Sequence, residues 1–243
     1  MWIDVIDLRD FYQSGRGRVV QRMIRRRMRD FWPDVKGMSV LGLGFATPYL
    51  NGFREQASHT ICAMPAAQGV LGWPKDGPVN TVLVDELDLP FADCSQDRVL
   101  LIHGLECAEH LRPMLREIWR VLSDSGRLLI IAPNRRGLWA RFEGTPFGHG
   151  QPFSSRQLSR LLRDNLFTPM ATERALYMPP VNSNMVFSSA SAFETVGSYG
   201  FKSFGGVVMA EAVKQIYALS GDAPKVKKRT LVEFADGNPG KST

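Results

Sequence analysis

The sequence predicts an α/β domain built on a mostly parallel sheet, and three observations carry that prediction. Short apolar runs recur at residues 38–43, 58–64, 81–84, 99–102 and 127–132. Each has the length of a strand and too little alternation for a sheet wetted on one face. Helical spacing fills the gap between the last two, where Leu111, Leu115, Ile118, Trp119 and Leu122 share one face of 110–122. The first run stops on Gly42 and Gly44 and passes through Phe45-Ala46-Thr47-Pro48 toward a helix. A strand that ends on glycine and re-enters as a helix is where α/β proteins bring backbone N–H groups close to a nucleotide-like ligand, although such turns also form without one.

Taken in order, residues 4–31 read as one helix. Val19, Val20, Met23, Ile24, Met28 and Phe31 form its apolar stripe, and Pro33 ends it. Seven arginines lie between Arg16 and Arg29 and fall mainly off that stripe, giving a solvated basic face or a contact for nucleic acid, anionic lipid or an acidic protein. No aromatics interleave them, which disfavours nucleic acid. Beyond the five runs, 154–164 is a helix entered through a serine cap, 169–177 a strand, 188–199 a helix and 206–214 a closing strand. After residue 220 the chain turns polar, with the run Lys225-Val226-Lys227-Lys228-Arg229, and reads as a disordered tail. The domain plan is a basic helical segment over 1–36, an α/β domain over 37–219 with an acceptor loop at 134–153 and an insertion at 178–205, and the tail over 220–243.

The 243 residues are 44% hydrophobic and 22% charged with a formal charge of +6, so they can bury one large core and tolerate acidic partners without requiring them. No apolar run approaches the ~18 residues of a membrane span, and the start MWIDVIDLRD carries acids where a secretory signal carries bases. A cytoplasmic location is expected. Cys62, Cys94 and Cys107 lack metal-ligand spacing and read as reduced packing residues, and no metal is expected.

The segment 85–133 carries the most specific pattern. Asp85, Leu89, Pro90, Phe91, Asp93, Ser95 and Asp97 form one block, Leu105 and Glu106 a second, and Leu115, Glu117, Arg120, Val121, Leu122 and Gly126 a third. In order and spacing they closely resemble class I S-adenosylmethionine-dependent methyltransferases, in particular the type 11 group, over roughly residues 38–175. The resemblance implies a Rossmann-like, mostly parallel seven-stranded sheet with helices on both faces, and S-adenosyl-L-methionine as cofactor. It places Gly42, Leu43, Gly44 and Phe45 under the methionine part of that cofactor, Met64 and Pro65 beside the ribose, Asp85, Glu86 and Leu87 at the adenine, and His103 near the sulfonium and acceptor. His103 and His149 are the candidate catalytic bases. Glu106 reads as an acid at a helix start, and Glu117 with Arg120 as a structural i,i+3 pair.

The departures from the family pattern are specific. Gly42 stands where the family carries an acidic residue, only one of three glycines is kept, and Met64 replaces the carboxylate that holds the ribose hydroxyls. Downstream, the loop 134–153 offers an aromatic-rich surface (Trp139, Phe142, Phe147, Phe153) with three arginines and a histidine, suited to an acceptor. Two functions follow: a methyltransferase acting on a small molecule, or a protein that keeps the fold, has a degenerate donor site and binds another protein. A nucleic-acid methyltransferase is a third and weaker reading.

Overall fold

The computed structural model describes residues 2–200 and 202–216; the expected tail over 220–243 lies outside them. A seven-stranded sheet runs in the order β3-β2-β1-β4-β5-β7-β6. Its strands are β1 (Ser39–Gly44), β2 (His59–Pro65), β3 (Thr81–Val84), β4 (Gln96–Ile102), β5 (Leu122–Pro133), β6 (Phe167–Ala175) and β7 (Val207–Lys214). The first five pair in parallel, and β7 runs antiparallel between β5 and β6. The mostly parallel sheet with helices on both faces therefore forms as the alternation of runs predicts. Strand order reverses between β1 and β4, so the crevice for a ligand opens at their carboxyl ends.

Alternate residues of the central strands feed two cores, one on each face of the sheet. Val40, Leu100, Leu129 and Ile131 pack with Val20, Ile24 and Met28 of the N-terminal region. On the other face Leu41, Leu43, Val99, Leu101 and Ile130 meet α4 (Leu111–Val121) and α5 (Ser155–Asp164). The serine start predicted for α5 is a full capping box, Ser154 with Gln157.

The stretch expected as one helix is two, α1 (Val5–Gln13) and α2 (Gly15–Phe31). Ser14 is extended; its hydroxyl donates to the Phe11 carbonyl (2.6 Å) and accepts from the Gly17 amide (3.0 Å). A Cβ on Gly17 would lie 1.9 Å from the Phe11 carbonyl oxygen, so glycine lets the two helices fold onto each other. Apolar periodicity runs through both helices and conceals this elbow, which only Ser14-Gly15 betrays. After β1 the chain makes a single helical turn, α3 (Thr47–Leu50), and the helix expected over 188–199 forms as α7 (Ala190–Gly200), preceded by a short helix the sequence did not signal, α6 (Asn184–Ser188).

Two polar knots hold these parts together. Glu211 on β7, nearly fully buried, accepts from Trp32 Nε1 (3.1 Å) and from Arg127 (3.0 Å), fastening the end of α2 to the sheet. Arg120 donates to the carbonyls of Leu89 and Phe91 and to the carboxylates of Asp93 and Glu117, while Glu117 accepts from the Leu89 amide. The predicted i,i+3 pair is thus the staple of the β3–β4 connection. Arg120→Ala is expected to lower the unfolding free energy by about 2 kcal/mol, read from the urea midpoint. The hydrogen bonds from Arg120 hold the Glu117 carboxyl below its ordinary range. A depressed folded value means its contribution is complete above the unfolded carboxylate value of about 4.3 and is lost as pH falls through the folded value. Glu117→Gln should therefore flatten the decline in urea midpoint as pH falls below about 4.3.

Candidate functional site

The carboxyl ends of β1, β2 and β4 converge where the sequence placed a ligand. Gly44 has φ +84°, and a Cβ there would lie 2.2 Å from the Ile102 carbonyl, so the tip of β1 presses directly on β4. The residue after β4, His103, is fully buried and holds a left-handed backbone with φ +52°. A non-glycine residue kept in that region marks a position whose side chain the surroundings over-determine.

That side chain sits in a chain of polar groups. His103 Nε2 is 2.7 Å from the Tyr12 hydroxyl, which is 2.8 Å from the Tyr49 hydroxyl. On the other side, Nδ1 lies 3.5 Å from the Glu106 carboxylate. A proton on Nδ1, facing the carboxylate, leaves Nε2 to accept from Tyr12, which accepts in turn from Tyr49. Burial, with Tyr49 and Glu106 nearby, drives the Tyr12 hydroxyl well above its ordinary range, and burial raises Tyr49 too, so both stay protonated. Glu106, expected as an acid at a helix start, instead lies five residues before α4 and is buried. The cysteines are not nucleophiles here: burial pushes the Cys62 and Cys107 thiols up to about 12.

This chain of polar groups is incompletely satisfied. His103 Nδ1, both Glu106 oxygens and Gln68 Oε1 are buried without a hydrogen-bond partner, and Gln68 donates its amide to the His103 carbonyl at 2.9 Å. A finished core does not leave four such atoms in one place, because each unpaired buried group costs about 1–3 kcal/mol.

What covers His103 and Gln68 is α1, while the loop around Gly150 folds over Glu106. Val5 donates its amide to Gln68 (2.9 Å), Leu8 is fully buried, and the Tyr12 ring stacks on Phe45 with centroids 5.8 Å apart. The helix therefore lies across the tips of β1, β2 and β4, with a cavity on each side. One, about 690 Å³, is bounded by Asp4, Asp7, Phe11, Arg16, Thr145 and His149; the other, about 400 Å³, by Arg9, Gln13, Phe45, Thr47 and Trp73.

The remaining sequence-predicted residues are distributed unevenly. Gly44 presses on the Ile102–His103 backbone, Phe45 and His103 meet Tyr12 of α1, and Gly42 faces Ala46 and Leu50 at α3; Met64 is buried in the same core as Phe45, its sulfur accepting from the Leu71 amide. Pro65 offers its carbonyl to Gln68 and Gly69. Leu43 turns into the opposite core. Asp85 accepts from the Leu87 amide at 2.9 Å and shapes its own turn with Glu86 at the end of β3. His149 is exposed on the larger cavity, apart from buried His103. The aromatic surface expected of 134–153 is mostly core: Trp139, Phe147 and Phe153 are buried, and Phe142 alone is exposed. Arg16 clamps that loop by donating to the carbonyls of Gly144 and Pro180. Tyr12 and Gln68 escaped the sequence reading, since nothing local distinguishes them from ordinary helix and turn residues.

For the sulfonium donor that the resemblance implies, the polar groups beneath α1 fit, with unpaired atoms and a buried carboxylate suited to a cation, whereas the buried side chains of Phe45 and Met64 fill the tips of β1 and β2. The side chains of α1 itself stand in the way. Glu106→Gln, which keeps the shape but replaces one of two buried acceptor oxygens that lack a hydrogen-bond partner, is expected to stabilise the unliganded protein by about 1 kcal/mol, measured as a raised urea midpoint.

Residues 41–130 match the methyltransferase domain family. A demethylmenaquinone methyltransferase of Corynebacterium glutamicum is 34% identical over 117 residues, 48% of this chain and 49% of that protein. The chain thus spans about half the length of this curated relative. Among solved structures, a SAM-dependent methyltransferase of Thermotoga maritima, described as a possible histamine N-methyltransferase, superposes with TM-score 0.61 at 15% identity over 87% of this chain and 96% of that one. A chain of the complex between the Haloferax volcanii Trm112 methyltransferase activator and a methyltransferase does so with TM-score 0.62 at 16% identity over 89% and 100%. At these identities the structures establish the shared fold.

Proposed function

We propose that this chain, whose residues 41–130 match the methyltransferase domain family, is an S-adenosylmethionine-dependent methyltransferase acting on a small-molecule acceptor. The observation that carries the reading is the buried His103–Glu106 pair at the tip of β4, whose polar atoms stay unsatisfied while α1 lies over them. Moving α1 aside at the Ser14 elbow would expose one continuous crevice. The backbone of Gly42–Phe45, the Met64–Pro65 turn and the loop of Asp85, Glu86 and Leu87 would hold the donor, which supplies an electrophilic methyl group when bound. His103 Nε2, released from Tyr12, is then free to take a proton from the acceptor, and Glu106 stabilises the imidazolium that results. His149 and Arg16 border the acceptor side. The names of the curated relatives make demethylmenaquinone the first acceptor to assay.

The absent ribose carboxylate and the need to displace α1 both weaken donor affinity, the former by one to a few kcal/mol. In this scheme Tyr12 is a latch, since its hydroxyl stabilises only the closed form. Calorimetry is expected to detect S-adenosylmethionine binding, and Tyr12→Phe should tighten it roughly fivefold by removing about 1 kcal/mol from the closed state. No heat at millimolar donor with either protein would instead support the second reading, a binding protein that retains the fold. Met64 and the seated α1 are the observations that favour it.

A further inference from the structure

The strongest charge feature of the molecule lies away from the crevice. On α2, Arg18, Arg22, Arg25 and Arg29 recur at steps of four, three and four, which places them on one face along about 16 Å of helix. With Arg26 they border an open cleft of about 510 Å³. Among the described residues no carboxylate forms an ion pair with any of the five; Asp30 pairs with Arg27 instead. Five arginines on one helix, four of them exposed and Arg25 half-buried, with no ion-pair partner among the described residues, form a surface poised for an external anion.

The neighbouring surface indicates which anion. Arg26 also borders a second groove whose far wall is α7, with Glu194, Thr195, Ser198 and Tyr199. Glu194 is buried there, accepts from the Tyr177 amide and feels the charges of Arg26 and Arg27, so it offsets the arginine face at its Arg26 edge and leaves Arg18, Arg22, Arg25 and Arg29 without a carboxylate. Along α7, Phe193, Val196 and Tyr199 follow one another at helical spacing on the solvent side, with Val196 62% and Tyr199 83% exposed. Met185 in α6 is 78% exposed, and Phe204 beyond α7 is also exposed. Apart from Glu194, residues 184–200 carry no charged side chain.

A row of unpaired arginines beside an uncharged band of exposed apolar and aromatic side chains has the chemistry of the bilayer interface, where cations meet lipid phosphates and apolar groups enter the acyl boundary. A nucleic-acid surface would set aromatics among the bases and extend the charge along the groove; here the aromatics lie in a separate, uncharged band. We propose that α2 and α7 together form a docking face for membranes containing anionic phospholipid, with α2 lying along the headgroups and α7 contributing the insertion. This goes beyond the methyl-transfer reading, and its test does not require turnover.

The experiment is flotation of the full chain with vesicles of phosphatidylcholine alone or mixed with phosphatidylglycerol. Binding to the mixed vesicles is expected to exceed binding to phosphatidylcholine about tenfold and to decline as salt is raised. The combined variant Arg18→Glu, Arg22→Glu, Arg29→Glu should abolish it. Val196→Ser with Tyr199→Ser leaves the charge intact and should weaken it about tenfold. All five positions are on the surface, and an unchanged urea midpoint would establish that the variants fold. Equal binding to both vesicle types, full binding by the arginine variant, or undiminished binding by the Val196/Tyr199 variant would each overturn the proposal. Tighter binding to a single-stranded RNA oligonucleotide than to the mixed vesicles would overturn it in favour of nucleic acid.

Discussion

The hydrogen bond between Tyr12 and His103 is the constraint on which the upper half of the molecule depends. It joins a residue in the first helix to one at the tip of the fourth strand, 91 positions away, in a place water does not reach. Through it α1 is held across the sheet, and through the Ser14 elbow α1 sets where α2 begins. Without it, the Val5–Gln68 backbone bond at the start of the helix, the stacking of Tyr12 on Phe45 and the burial of Leu8 would seat the helix, with no hydrogen bond at its carboxyl end to reach the strand tips. The hydrogen bond supplies the direction.

The parallel core was legible because its physics is local. Runs such as 99–102 and 127–132 are continuous apolar stretches that only a sheet covered on both faces can use, and the structure buries them there. The leucine stripe of α4 and the serine cap of α5 follow from periods and capping chemistry that short windows contain. The block pattern from Asp85 to Gly126 located the β3–β4 connection, and its Glu117–Arg120 pair proved to be the staple of that loop.

What the sequence concealed is long-range. The apolar period runs unbroken through α1 and α2, so the elbow at Ser14 could be recognised only from a Ser-Gly pair that helices sometimes tolerate. Glu106 reads as a helix-start acid because four residues separate it from an evident helix; its burial against His103 depends on the loop around Gly150 folding over it, and a Cβ on Gly150 would lie 2.3 Å from the Glu106 carbonyl. The aromatics of 134–153 read as a binding surface because composition cannot tell a packed loop from an exposed one. Tyr12 carries no signal at all until the strand tips and the helix are brought together.

Glu211 has a mechanical consequence. By accepting from Trp32 and Arg127 it rivets the far end of α2 to the antiparallel half of the sheet, whereas α1 is tied down by the Tyr12 latch, the Val5–Gln68 backbone bond and its packing. The N-terminal arm is thus a fixed beam with a short hinged flap. Were α1 to swing aside as proposed, the arginine-bearing beam would keep its bearing on the surface proposed for it, so anchorage and ligand exchange would not compete.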